Sequence, residues 1–368
     1  MGMLPSEIVT NILVRLPIKS IIICTSVSKA WKSLIQNPTF ISTHLHHSHN
    51  KNLLFFNLCS ENQEEFYALH NDDDEPDFTQ HTSFDYPSHV PDPDAKFCVV
   101  GTCNGLLLSL SNNLTMDTSR LCLWNPSVRK LVNLPPTHFS SDECIGFGFD
   151  PKTNDYKVVR VIKLMERLDF QIYSLSTGDQ WRMLRVDLAP ICAFCHHEPH
   201  AFINGALHWV ASRLTDNEFL YFILVFDLGD EVFRHEILPP EPIGHTGMMS
   251  AFVSVYKDSI ALIQKDYNCK LHIWVMKEYG VESSWTKVLS LNISNQGFFD
   301  LEDIPRVIGF RRNGEVLLKL DGGQLVSQDF ESKEIKDLGI IGYKNTFVDP
   351  YVESLVLLDK ASNGVVTY

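Results

Sequence analysis

Cys192-Ala-Phe-Cys195-His196-His197-Glu198-Pro199-His200 is the one stretch of this 368-residue chain that gathers metal-ligating side chains at close spacing. Two thiols separated by two residues make half of a zinc site, and imidazoles suit the same ion. The other half is missing: the histidines follow Cys195 at once, and no second ligand pair stands at a finger's distance. A zinc-protease reading fails as well, because His200 comes three residues after His197 rather than four and Pro199 interrupts any helix that would align them. The segment therefore reads as a loop with histidines and half-buried thiols. No metal or cofactor is assigned, and His196 and His197 are retained as candidate contacts to a partner. The second chemistry-bearing run is acidic. Residues 61–94 hold eleven Asp and Glu and no Lys or Arg, with Asp72, Asp73, Asp74 and Glu75 consecutive. Such a single-sign field steers a basic partner, although an acidic run interleaved with Pro76, Pro87, Pro91 and Pro93 also has the composition of a solvated insertion. No nucleophile elbow, P-loop or dinucleotide fingerprint occurs, so the chain is expected to bind rather than catalyse.

These candidates sit within a long β-patterned region. From residue 53 onward, short alternating strands are separated by turn residues. One hairpin type recurs as FCVVGTCNGLLLSL, IGFGFDPKTNDYKVVRVI, AFINGALHWVAS, FVSVYKDSIALIQK, VIGFRRNGEVLLKL and FVDPYVESLVLLD, with turns near Asn104-Gly105, Asn154, Asn204-Gly205, Asp258, Asn313-Gly314 and Glu353. A second type follows most of them and places Trp124, Tyr173, Phe226, Trp274 and Gln328 at equivalent positions, a period of about 50 residues that falls in the range of propeller blades. The orphan last hairpin finds its partner in residues 53–69. Pairing these with residues 347–359 closes a six-bladed β-propeller and leaves only short edges. In such blades the long connections near 136–144, 185–200, 240–250 and 292–304 share one face. Variable loops on a rigid frame are the usual place for recognition, and by the same parity the chain enters at residue 53 from that face.

The N-terminal stretch has helical spacing instead. Pro5 suits a first helical turn, and the apolar stripe Ile8, Val9, Ile12, Leu13 and Leu16 runs up to Pro17. Ser20 is the expected N-cap of a second helix over Ile21 to Thr25. Ser28 is that of a third, which carries Trp31 and stops at Asn37-Pro38. His44, His46, His47 and His49 fall at the end of this three-helix unit and in a linker, giving the organisation 1–45, 46–52 and 53–368. A unit of about 40 residues is near the lower limit for a self-sufficient core, so part of its apolar surface is expected to be an interface.

LPSEIVTNILVRLPIKSIIICTSVSKAWKSLIQNPTFI, residues 4–41, resembles the F-box of plant F-box proteins in order and spacing. The resemblance implies docking on the Skp-type adaptor of a cullin-RING (SCF) ubiquitin ligase, with Leu4, Pro5, Ile8, Ile12, Leu16, Pro17, Ile21, Val27 and Trp31 making or supporting the contact. One segment departs: Ile23-Cys24-Thr25-Ser26 stands where many relatives carry Arg-Phe-Arg-Cys. GLLLSL, LCLWNPSVRKLVNLP and GFGFDPKTNDYKVV are similar to the F-box-associated domains that follow the F-box in plant proteins, whereas the double-Gly signature of kelch blades is mostly missing. Together they imply a non-catalytic substrate receptor whose propeller holds an unknown target protein; the reading from another class is a propeller scaffold outside any ligase.

Composition agrees with these expectations. The formal net charge is −14, and residues 1–50 carry four basic and one acidic side chain, so the difference leaves −17 on the remainder. A nucleic-acid footprint needs a basic patch, and none is visible. No apolar run approaches the roughly 18 residues of a membrane span. Nine scattered cysteines, an odd number, suit a reducing compartment, cytoplasm or nucleus.

Overall fold

The computed structural model describes residues 5–48, 53–60, 64–72, 80–84, 96–113, 118–138, 143–164, 167–178, 180–186, 193–194, 200–215, 218–240, 248–266, 270–292, 305–343 and 346–360. Four helices come first. α1 (Ser6–Leu13) opens behind Pro5, whose φ of −53° is already helical. α2 (Ile18–Cys24) starts three residues earlier than the spacing predicts, because Pro17 rather than Ser20 takes the N-cap position. α3 (Lys29–Ile35) is capped as expected, with Ser28 Oγ accepting from the Trp31 amide at 3.1 Å. α4 (Pro38–Ser48) was not expected at all. Pro38 opens this helix instead of ending the previous one: proline in a first turn sacrifices no hydrogen bond, and Asn37 Oδ1 accepts from the Thr39 amide at 2.8 Å. His44, His46 and His47 thus lie on a helix. His44 is buried, stacks on Phe40 and donates from Nε2 to the Leu16 carbonyl at 3.3 Å. Leu13, Val14, Ile18, Ile21, Ile35, Phe40, Ile41 and Leu45 are the buried apolar side chains of this module.

The rest is β. β1 (Leu53–Cys59), β2 (Glu65–Asn71) and β3 (Gln80–Phe84) belong to the first sheet, and β4 (Lys96–Cys103), β5 (Leu106–Asn113), β6 (Thr118–Asn125) and β7 (Lys130–Asn133) form the second, with β8 (Thr137–His138) beside β6. The third is β9 (Glu143–Asp150), β10 (Asp155–Leu164), β11 (Arg167–Ser174) and β12 (Arg182–Leu184). In the fourth, β13 (Ala193–Phe194) and β14 (Ala201–Ile203) both pair with β15 (Ala206–Thr215), followed by β16 (Glu218–Asp227) and β17 (Val232–Ile237). The fifth is β18 (Met248–Tyr256), β19 (Ser259–Asp266), β20 (Lys270–Met276) and β21 (Trp285–Asn292). The sixth is β22 (Arg306–Phe310), β23 (Val316–Lys319), β24 (Gln324–Gln328) and β25 (Ile335–Ile341). A last strand, β26 (Phe347–Tyr351), pairs with β1 and gives the first sheet the order β26-β1-β2-β3. Six antiparallel sheets in succession make a six-bladed propeller arrangement.

Five of the six expected hairpins of the first type are present. At two of them Asn104-Gly105 and Asn204-Gly205 supply paired positive φ values of 51° with 79° and 53° with 73°, the geometry that fits the twist of a two-residue hairpin. The sixth hairpin does not form. Only residues 347–351 are strand, because β1 already occupies the ladder beside β26, and residues 352–360 run on as irregular chain. The first blade is therefore built from one C-terminal strand and three N-terminal ones, not two and two. Its phase shifts by a strand, and the chain enters β1 at the end where the hairpin turns lie, the reverse of the expected entry. β3 is a second difference, since it lies inside the acidic segment read as an insertion.

The chain divides into two compact units: Met1–Phe56, Phe66–Thr137 and Pro350–Tyr368 in one, Asn57–Glu65 and His138–Asp349 in the other. In the second unit, Val159, Val161, Phe170 and Ile172 of the third blade pack on Leu207, Trp209, Phe222 and Phe226 of the fourth. The alternation in Gly-Phe-Gly-Phe follows from that contact: a Cβ on Gly146 would stand 2.4 Å from Trp209, and one on Gly148 2.3 Å from Phe202. Trp124, Tyr173, Phe226, Trp274 and Gln328 all occupy the third strand of their blades, and all are buried.

Candidate functional site

The helical module leaves apolar side chains in water that its own core does not use. Ile8 is 46% exposed and Ile12 51%, one turn apart on the same face of α1. Ile23, near the end of α2, is 69% exposed, and Val27, four residues on, 62%. Side chains of this kind are worth about 1.5–3 kcal/mol each when buried, so leaving four exposed in so small a unit is a large unmet gain. Pro5 and Pro17 are exposed, Leu16 and Trp31 are half-buried, and Leu4 lies outside the described residues. Ile21 is fully buried, so any part it takes in docking is exerted from within the module's core. Ile23, exposed on α2, opens the segment Ile23-Cys24-Thr25-Ser26 that departs from the expected Arg-Phe-Arg-Cys pattern.

The first unit also holds the start of the propeller and the chain's last described residues. Asn125 Nδ2, buried at the end of β6, donates to the Ser354 carbonyl at 3.1 Å and the Val356 carbonyl at 2.8 Å. Lys130 Nζ, opening β7, donates to the Leu358 carbonyl at 2.9 Å and the Lys360 carbonyl at 2.5 Å. Gln36, at the end of α3, donates from Nε2 to that same Leu358 carbonyl at 3.2 Å. Nothing in the sequence pattern marked Asn125, Lys130 or Gln36, because side chains that bind distant carbonyls leave no periodicity.

The second unit carries a buried ionic cluster. Lys157 Nζ lies 2.8 Å from Asp150 Oδ2 and 3.0 Å from Glu231 Oε1, and it donates to the Leu228 carbonyl at 2.8 Å. Burial alone would raise Asp150, but hydrogen bonds from Lys157, Thr153 and the Lys152 amide outweigh it and hold the carboxyl below its ordinary value. Burial likewise opposes the charge on Lys157, and its bonds to Asp150 and Glu231 prevail, raising its pKa. The cluster ties β10 to the turn joining β16 to β17.

The candidate partner contacts on the propeller are only partly visible. Asp72 is buried, so it takes no part in a solvated field, and Asp73, Asp74 and Glu75 lie outside the described residues, as do His196 and His197. His200 is turned inward: its Nε2 accepts from the Phe147 amide at 3.0 Å, and burial lowers its pKa to about 4. Among the described residues no group of three or more His, Cys, Asp or Glu is placed to hold a metal, and no helix is long and apolar enough to cross a membrane.

The architecture is a small helical module with an exposed apolar face, followed by a six-bladed propeller. Residues 2–43 match the F-box domain family, and residues 54–356 match the F-box associated beta propeller domain. The chain belongs to the family of F-box proteins that carry this propeller. It is 30% identical to the F-box protein At3g07870 of Arabidopsis thaliana, over 94% of this chain and 89% of that one. It is 26% identical to the F-box protein CPR1 of the same plant over 100% and 92%, and 26% identical to the F-box/kelch-repeat protein At3g23880 over 78% and 79%.

Proposed function

We propose that this protein is the substrate-recognition subunit of an SCF ubiquitin ligase. The observation that carries the reading is the exposed apolar group of Ile8, Ile12, Ile23 and Val27 on a module that belongs to the F-box family. The module docks on a Skp-type adaptor and the propeller holds a target protein. The subunit itself does no chemistry: it raises the local concentration of target lysines at a ubiquitin donor carried by other subunits, the gain that proximity gives any bimolecular step. Its place of work is the cytoplasm or nucleus, in keeping with an odd number of cysteines, nine, scattered through the chain.

The test is adaptor binding by the purified full-length chain. Ile12→Ala or Val27→Ala should each weaken it by about ten-fold or more, the equivalent of roughly 1.4 kcal/mol or above for a truncated interface anchor. Ile12→Asp should abolish it, and the thermal midpoint should change little because these side chains are exposed. Ile23→Arg, which restores the charge of the relatives, reports whether the departure at Ile23-Cys24-Thr25-Ser26 strengthens or weakens docking. Absence of binding by the unaltered chain would leave a propeller scaffold outside any ligase as the better reading.

A further inference from the structure

We propose that residues 352–360 are a strap that locks the helical docking module onto the second blade, with the Leu358 carbonyl as the three-way junction of α3, the strap and β7. That carbonyl accepts from Gln36 Nε2 at 3.2 Å and from Lys130 Nζ at 2.9 Å. Lys130 goes on to the Lys360 carbonyl, and Asn125 takes the Ser354 and Val356 carbonyls. Side chains thus satisfy the carbonyls of residues 354, 356, 358 and 360, as a paired strand would otherwise do. At the strap's upstream end Tyr351 Oη donates to the Gly105 carbonyl at 3.2 Å and lies 3.0 Å from Ser127 Oγ.

Two backbone features show that the path is imposed. Gly105 has φ of +79°, and a Cβ there would stand 2.4 Å from the Val352 carbonyl oxygen, so the strap lies against a hairpin turn that admits only glycine. Leu357 holds φ of 72°, a left-handed conformation that costs a non-glycine residue of order 1 kcal/mol or more and persists where the surroundings over-determine it. The surroundings here are apolar: Leu355 and Leu357 are fully buried, and Val352, Val356 and Leu358 nearly so. Lys130 is held below its ordinary pKa by that burial; Asp359 in the strap opposes the shift and Lys32 of α3 adds to it. The module is not a bead on a tether but is held against the second blade.

The strap matters for ubiquitin transfer only if the module docks an adaptor, so its role rests on the preceding reading, but its own test does not. Full-length protein, the double variant Lys130→Met with Gln36→Leu, and a chain ended after Leu355 are compared by amide hydrogen exchange and small-angle X-ray scattering. The expected result for both altered proteins is at least ten-fold faster exchange at the α3 C-terminus, protection of β9–β12 as in the parent, and a larger maximum dimension as the module swings free. Unchanged scattering with an exposed α3 terminus would overturn the proposal, since the module would then be held without the strap, and so would unchanged exchange. If the shortened chain exchanges rapidly throughout, it has unfolded and the double variant alone decides. Adaptor affinity measured alongside separates the two readings: loss of binding by the parent protein sinks the ligase assignment and leaves the strap to be judged by exchange and scattering.

Discussion

Lys157 shows how a single side chain can hold two blades and also set the pH range of the fold. It is the cation shared by Asp150, which is fully buried, and Glu231, which is partly so. Lys157→Met keeps the aliphatic stem but leaves a buried carboxylate uncompensated, a loss of about 3–5 kcal/mol, measurable as a lower urea midpoint. The pH dependence follows from the directions of the shifts. Asp150 and Glu231 both have lowered pKa values in the fold, so their contribution is complete above the ordinary carboxylate range of about 4 and is lost as pH falls through the lowered values. Lys157 has a raised pKa; its contribution is complete below the ordinary lysine value of about 10.4 and is lost only as pH rises through the raised one. Urea titrations should therefore show a plateau between these limits, and the Asp150→Asn variant should show a shallower acid limb than the parent. An equally steep limb would mean that other carboxylates govern acid unfolding.

At the scale of elements, the strand that closes the first blade carries the sharpest prediction. A chain ended at Thr346 loses β26 and leaves β1 as an unpaired edge, which invites association with other chains. Calorimetry should show a broadened or absent cooperative transition and sedimentation should show aggregates, whereas a chain ended at Lys360 should unfold like the parent. The blade count and the pairing of the two chain ends were legible in the sequence, because alternation over strands such as Leu106–Asn113 and turns such as Asn104-Gly105 are local signals that survive without knowledge of packing. The one-strand closure was not legible. Residues 347–359 read as a hairpin because Val352, Leu355 and Leu357 are apolar, but that apolarity serves a strap whose carbonyls are claimed by Asn125, Lys130 and Gln36. α4 was missed for a related reason: Asn37-Pro38 is a stop signal when read from the helix before it and a start signal when read from the helix after it. The exposure of Ile8 and Ile12 on one face of α1 could be read from their spacing, whereas the burial of Ile21 beside exposed Ile23 depends on how α2 is rotated in the module.

For the molecule as a whole, charge is divided unevenly: +3 on residues 1–50 against −17 on the remainder. A net charge of this sign should repel phosphate polymers, and the full-length protein should pass through a heparin column without retention at about 0.15 M salt, an ionic strength at which a basic patch still binds. Retention would reveal a local basic stripe that the average conceals. The one-strand closure also has a consequence in time. β1 leaves the ribosome early, but its partner β26 is made about 300 residues later, a delay of roughly 15–60 s at about 5–20 residues per second. Throughout that interval the helical module is complete and the ring is not. If the module docks a ligase as proposed, a nascent chain that stalls or is cut short carries a finished handle and no finished reader of targets. An F-box protein interrupted in synthesis would, on that proposal, be placed to become the ligase's own cargo.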